Sequence, residues 1–552
     1  MSKKNSRLLI GASICATIFL SNSVLAEGFK PSTAPLPISE MTRELDLQSA
    51  RLSVDGKHVA ALVYVPGANG PVVNVWETEN LSKPPKVFGS KTMRFYGLSW
   101  AKNDKILLYA NQPVVFGAKS DWSGTAAISN LDGSKIVELS NENAENTRDN
   151  NIVAGVSMFN SLPMDPDNVL LQISRFDGTE IVKVNLNTGQ ARKYLRSGEN
   201  ERFDWSDPNG VVRVKSDVYA SGGVWYQRFQ FRDNDGKWRE MEGLKQKLND
   251  RYTLDVQHVS NDGKTIYVIT DKDTNYAVLK KFDVATQTFS DTIAQNTDYD
   301  LSSVSFGSAD DEYHQKSDPI RQICWNGPVE ECQNNDETDN SIRELLEAAL
   351  PNTIVNFNVK QNGNMVLVSS QAPNLPTTYY VLKNKAELIK LGSNRNGWDQ
   401  SNLAPAEWVV YPARDGLKIP GILYTPRGYN KDKDGRIPLV VMPHGGPWSR
   451  DHINFDATFW PQMFATRGFA VLQPNYRGSE GLGKNLWKAG DKNWGLKMQD
   501  DNDDGAKWVV DQGIADPERM MIYGYSYGGF AAASAATRSS DLSKGIWQCA
   551  IS

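Results

Sequence analysis

The sequence predicts a β plus α/β chain: an N-terminal seven-bladed β-propeller followed by an incomplete, mostly parallel α/β domain. Three observations predict it. A turn-then-strand unit recurs from about residue 45 to 400, strands alternate with helices after about residue 403, and a glycine-framed turn joins a strand to a helix near residue 526. At 552 residues the chain exceeds one ordinary core, and 40% hydrophobic with 23% charged residues is the balance of a globular protein. Sixty basic against 65 acidic side chains give a net charge of −5 without a basic stripe, so nucleic acid is not an expected partner.

The first element is one the mature protein is expected to lose. Lys3, Lys4 and Arg7 precede an apolar run from Leu8 to Leu20, and Val24, Leu25 and Ala26 stand before Glu27, the pattern of a secretory signal peptide over residues 1–26. A run of about 13 apolar residues falls short of the roughly 20 that span a bilayer, so no membrane anchor is expected after cleavage. The mature chain is expected to be exported, to the periplasm. Cleavage leaves Cys324, Cys332 and Cys549. In an oxidising compartment, Cys324 and Cys332 either close a short loop around Gly327 and Pro328 or stay as thiols; Cys549 is the odd one in number.

Residues 27–402 hold a leading segment and then the propeller. Polar turns at Ser53–Gly56, Asn103-Asp104, Asp165–Asn168, Asp207–Gly210, Asn261–Gly263 and Gln361–Gly363 each precede a short apolar strand, with a weaker copy near Asp310. A spacing of about 40 to 60 residues is that of one four-stranded blade, and counting the weak copy gives seven. Such blades cannot bury both faces alone and must stack around a ring. One helix is expected among them: Ser341 with Glu344 makes a capping-box pattern, Ile342, Leu345, Leu346 and Ala349 form an apolar face, and Pro351 stops it.

Residues 403–552 change period. Trp408–Tyr411 and Ile419–Tyr424 read as an antiparallel pair turning at Asp415-Gly416. Strands are then expected over 437–442, 469–472, 520–523 and 546–551, with helices over 457–466, 501–512 and 527–537. Alternation of this kind implies a mostly parallel sheet, here one that stops partway.

The chemistry sits at the turn into the last helix. Gly524-Tyr525-Ser526-Tyr527-Gly528 is G-x-S-x-G, the nucleophile elbow of serine hydrolases on the α/β-hydrolase fold. Small glycines allow the sharp turn that lifts Ser526 above the sheet edge, and the next N–H, that of Tyr527, can donate to an oxyanion. Pro443-His444-Gly445-Gly446-Pro447 follows a buried strand, where a second oxyanion donor sits on this fold. Serine needs a general base and an orienting carboxylate, and on this fold the chain order is Ser, then Asp or Glu, then His. His444 and His452 precede the serine, so His444 is read as bracing its loop; His58, His258 and His314 lie in the propeller region. Two look-alikes are set aside. Gly478–Lys484 imitates a phosphate loop, but Asn485 stands where Ser or Thr would hold magnesium and no helix clearly follows; Asp500, Asn502, Asp504 and Asp511 imitate a calcium loop on helical spacing, better explained as acidic residues at a helix start. No metal or other cofactor is expected.

Taken together, the export signal, the propeller, His444–Pro447, Asn475-Tyr476-Arg477-Gly478-Ser479 and Gly524–Gly529 resemble the prolyl oligopeptidase family of serine peptidases, nearest in look to its acylaminoacyl-peptidase and dipeptidyl-peptidase-like bacterial members. The resemblance is specific in the last 150 residues or so and diffuse before them. It implies a propeller that limits access to short peptides, Ser526 as nucleophile, and the Tyr527 and Gly446 N–H groups as oxyanion hole. It also places the acid and base on later loops to which nothing here corresponds, so the sequence is expected to be a fragment. Two other readings share the elbow: an esterase, which needs no propeller, and a non-catalytic propeller binding protein with a dead hydrolase remnant.

Overall fold

The recurring turn does what its residue types dictate. The Ser53 hydroxyl donates to Asp55 Oδ1 at 2.7 Å, that carboxylate accepts the Lys57 N–H at 3.1 Å, and Gly56 takes φ 72°. The closure repeats at Ser260–Gly263, with Ser260 to Asp262 at 2.7 Å and Gly263 at φ 70°. Left-handed backbone is cheap only without a Cβ, which explains why Gly ends both of these turns.

The computed structural model describes residues 29–116, 119–141, 155–175, 178–307, 320–359, 364–538 and 546–552. The expected signal peptide, the weak turn near Asp310, the turn at Gln361–Gly363, and His314 lie outside them. Seven sheets follow one another between Leu47 and Ser393, most of them four-stranded meanders, making a seven-bladed propeller. The ring closes between its first and last blades. Leu52 and Val59 share a cluster with Met365 and Val381, and the Asp46 N–H donates to the Asn394 carbonyl at 3.0 Å.

The sixth blade departs from the pattern. Its described strands number three, and a helix, α1 (Glu337–Ala349), follows them. The expected capping box is corrected here. Asp336 is the cap, accepting from the Thr338 and Asp339 N–H groups, while Ser341 lies inside the helix and donates to the Glu337 carbonyl. Ile342 and Leu346 do face a core, that of the seventh blade with Val366, Val368 and Leu382. Cys324 and Cys332 stand opposite each other on neighbouring strands of the sixth blade and are disulfide-bonded.

The second part is a six-stranded sheet: β1 (Ala406–Pro412), β2 (Lys418–Tyr424), β3 (Ile437–Val441), β4 (Ala470–Pro474), β5 (Ala515–Tyr523) and β6 (Cys549–Ile551). The spatial order is β1-β2-β4-β3-β5-β6; β1, β2 and β4 pair antiparallel and the rest parallel. All five residues of β3 are buried, as a central parallel strand covered on both faces requires. Besides the single turn Lys431–Asp434, the helices are α2 (Trp460–Ala465), α3 (Lys484–Ala489), α4 (Lys497–Asp511) and α5 (Tyr527–Thr537). The sequence expected no helix after Gly478–Lys484, yet α3 begins at Lys484; α4 starts four residues before the expected 501. No described helix is long and apolar enough to cross a membrane.

The leading segment packs on the α/β sheet. Phe29 joins the core of Leu423, Leu439 and Val509, and Leu36 is buried with Phe455 and Phe459. The Leu36 N–H donates to Thr466 Oγ1 at 3.1 Å, across 430 positions of sequence.

Candidate functional site

Strand β5 ends at Tyr523, the chain turns through Gly524 and Tyr525, and α5 opens at Tyr527. Ser526 sits between them with φ 58° and ψ −122°, a left-handed conformation that costs a non-glycine residue energy. Its neighbours have no room for a side chain. A Cβ on Gly524 would meet the Gly528 carbonyl carbon at 2.2 Å, and one on Gly528 would meet the Pro443 oxygen at 2.1 Å. The two glycines therefore let the elbow press on itself and on the loop after β3.

That loop brings Gly445 and Gly446 beside the serine. A Cβ on Gly445 would lie 3.3 Å from Ser526 Cβ and 3.7 Å from its Oγ. Gly446 has φ 122°, and both it and Ser526 are exposed. Tyr527 is the first residue of α5, so its N–H has no carbonyl one turn back to bond, and an anion placed there meets the positive helix end. The three sequence-predicted site residues, Ser526, Tyr527 and Gly446, thus share one corner of the sheet edge. A hydroxyl beside free backbone donors can present a nucleophile and steady a developing oxyanion.

His444 is turned away from this chemistry. Its Nδ1 lies 2.8 Å from the Gly445 carbonyl, and its Nε2 lies 2.9 Å from Ser479 Oγ, a hydroxyl that donates to the Tyr476 carbonyl at 2.7 Å. Tyr476 stacks on the ring at 4.4 Å and donates its hydroxyl to the His444 carbonyl at 2.7 Å. Burial holds the imidazole down to about 4, neutral through the physiological range. The ring therefore braces the glycine loop. His452 lines a cavity between the two parts, while His58 and His258 lie on propeller strands.

Sequence reasoning missed what holds this corner in place. Arg477, after β4, clamps Asp501 of α4 (2.7 Å) and Asp415 of the β1–β2 turn (2.9 Å). The guanidinium holds the Asp415 carboxyl well below its usual range. Asp504 pairs with Arg414 at 2.8 Å, and Asp500 and Asp503 hold Arg538. The acidic run of α4 is thus neither a calcium loop nor mainly a helix-end effect; its carboxylates anchor arginines of the surrounding loops. The nearest sequence signal was the acid run itself, without its partners.

A cavity of ≈ 750 Å³ lies between the propeller and the sheet, lined by Asp255, Asp271 and Asp300 from the propeller and by Trp448, Arg450 and Glu480 from the α/β part. Burial pushes Asp271 up to about 6 and raises Asp255, Asp300 and Glu480 as well. A larger cleft of ≈ 920 Å³ is formed by propeller residues alone, including the Asp207 and Ser260 turns.

With this geometry in hand, the comparisons are specific. Residues 455–552 match the model of the prolyl oligopeptidase family. Dipeptidyl aminopeptidase BIII of Pseudoxanthomonas mexicana is 27% identical over 515 residues, 89% of this chain and 68% of that protein. The human acylamino-acid-releasing enzyme is 38% identical over 118 residues, 21% of this chain and 15% of that protein. Among solved structures, a puromycin-hydrolyzing peptidase of Mycobacterium tuberculosis superposes with TM-score 0.62 at 14% identity, covering 93% of this chain and 79% of that one. Prolyl oligopeptidase B from Galerina marginata gives TM-score 0.63 at 14% identity, covering 91% and 72%.

Proposed function

We propose a serine-peptidase reaction for this chain, which belongs to the prolyl oligopeptidase family. The observation that carries the proposal is the strained Ser526 at a strand–helix junction, within contact of the glycine loop. Ser526 Oγ attacks the scissile carbonyl of a short peptide, forming the C–O bond while its proton passes to a general base. The Tyr527 and Gly446 N–H groups hold the resulting oxyanion. Collapse breaks the C–N bond, the amine leaves with the proton, and water hydrolyses the acyl-enzyme. His444 is committed to Gly445 and Ser479, and no described residue brings a base to Ser526. On this fold the base and its orienting carboxylate follow the serine in chain order, and the reaction as proposed requires both.

Short peptides are the proposed substrates because the propeller packs on the loop that carries Gly446, Arg251 lying over Trp448, and a relative is named a dipeptidyl aminopeptidase. We also place the protein outside the cytoplasm, in the periplasm. The signal-like residues 1–26 and the Cys324–Cys332 disulfide support that placement.

The test uses the protein as expressed from its own gene. A fluorophosphonate probe followed by peptide mapping is expected to label Ser526, with labelling lost in S526A and with peptide amides cleaved. Absence of label supports the binding-protein reading, and cleavage of esters without amides supports the esterase.

A further inference from the structure

We infer that Arg251, a propeller residue with no part in the acyl-transfer chemistry, is a positioning residue for the oxyanion hole; the inference rests on the serine-peptidase reading. Arg251 follows a short 3-10 turn at the junction of the fourth and fifth blades. Its backbone is left-handed, φ 44° and ψ 82°, with no glycine to relieve it. Strain at a non-glycine residue persists where surrounding contacts over-determine it.

The Arg251 N–H donates back to the Leu248 carbonyl, and its guanidinium crosses to the α/β part. The guanidinium carbon lies 4.3 Å from the centre of the Trp448 ring and 5.8 Å from that of Trp487, and Nε pairs with Asp491 at 2.8 Å. Trp448 is two residues beyond Gly446, and the turn between them is tight. A Cβ on Gly446 would meet the Trp448 nitrogen at 2.8 Å, and the Ser449 N–H donates to the Pro447 carbonyl at 2.9 Å. Any shift of the Trp448 backbone therefore moves the Gly446 N–H.

The contact also continues to the second donor. Trp448 meets Trp494 edge-on at 6.0 Å, and Trp494 meets the Tyr527 ring at 5.4 Å. A chain of packed rings thus runs from a propeller arginine through Trp448, two residues from Gly446, to Tyr527. Trp448 and Trp494 are themselves half exposed, at 43% and 47%, so little else holds them. Arg450 secures the far end of the same loop, donating to the Asn326 and Gly327 carbonyls of the disulfide-closed hairpin at 3.0 and 3.1 Å. The function assigned to this arrangement is to make oxyanion geometry depend on the propeller being seated.

The stack and the ion pair can be separated. R251K keeps a cation for Asp491 but loses the planar face over Trp448; D491N keeps the stack and loses the ion pair. In the protein expressed from its own gene, the fluorophosphonate inactivation rate at saturation is expected to fall about 10-fold in R251A and R251K, because small misplacements of catalytic groups cost rate steeply. The half-saturating probe concentration and the thermal midpoint are expected to stay within about twofold and a few degrees of the parent, and D491N within about twofold in rate. Hydrogen exchange is expected to quicken over 446–450 in R251A, with the His58–Val63 strand unchanged as control. Rates unaltered in R251A, or a loss reproduced by D491N, would overturn the inference. An unlabelled parent would sink the serine reading instead, while the exchange measurement still decides whether Arg251 holds the loop.

Discussion

At the scale of single residues, the sequence named the serine and its glycines because their chemistry is local. Gly524 and Gly528 are required by contacts within five positions and across one neighbouring loop. The role of His444 was less legible, since what decides it is the Gly445 carbonyl, Tyr476 and Ser479, the last 35 positions away. Its geometry makes a pH prediction. The folded-state value is depressed to about 4 from an ordinary 6.5, so the unfolded chain binds more protons in that window. The contribution to stability is present above about 6.5 and is lost as pH falls towards about 4. Urea midpoints measured from pH 7 to 4 are expected to decline more steeply in the parent than in H444Q, which has no titrating ring; parallel slopes would refute the assignment.

At the scale of elements, the period of the sequence located strands and helices but misplaced their starts. Helix α4 begins four residues early because its first turn is polar and offers no periodic signal except Met498, which is buried against Tyr476 and Tyr527. Likewise the cap of α1 is Asp336, ahead of any apolar residue of that helix. The acidic run of α4 looked local, yet its partners are Arg414, Arg477 and Arg538, up to 90 positions distant. The Arg477–Asp501 pair is nearly dry, with side chains 4% and 0% exposed. Removing one member leaves a buried charge, so R477M is expected to destabilise the α/β part by about 3–5 kcal/mol in denaturant unfolding. Adding D501L should recover part of that loss. A change below about 1 kcal/mol in R477M would show the pair to be dispensable.

At the scale of the whole molecule, the propeller was legible because a polar turn followed by a short apolar strand recurs along the sequence, whereas the seating of one part on the other was not. The Leu36 and Phe29 contacts and the Arg251 and Asp300 contacts join positions about 180 to 480 apart, where no local pattern reaches. Asp300 shows how the two parts are tied: one carboxylate oxygen accepts the Ala277 N–H at 2.6 Å within the propeller and the other the Gly483 N–H at 2.7 Å. Asp255, Asp271 and Glu480 share its cavity, with Arg202, Arg450, Lys484 and His452 as the basic groups facing them, the last with its imidazole pushed down by burial. For all four acids burial is the largest influence and raises the folded value above the ordinary one, to about 6 for Asp271. The seated state therefore binds more protons than an open, solvated one. Its advantage is full below about 4 and is lost as pH rises through about 6, because each acid must then be charged in a cavity that the basic groups only partly neutralise. Small-angle scattering is expected to show the radius of gyration growing between pH 4 and 7, with the growth reduced in D271N, whose amide oxygen can still accept the Thr253 N–H that Asp271 now takes. A radius that is constant or shrinks over that range would mean the arginines and Lys484 outweigh burial, and that protonation of this cavity does not govern how firmly the propeller is seated.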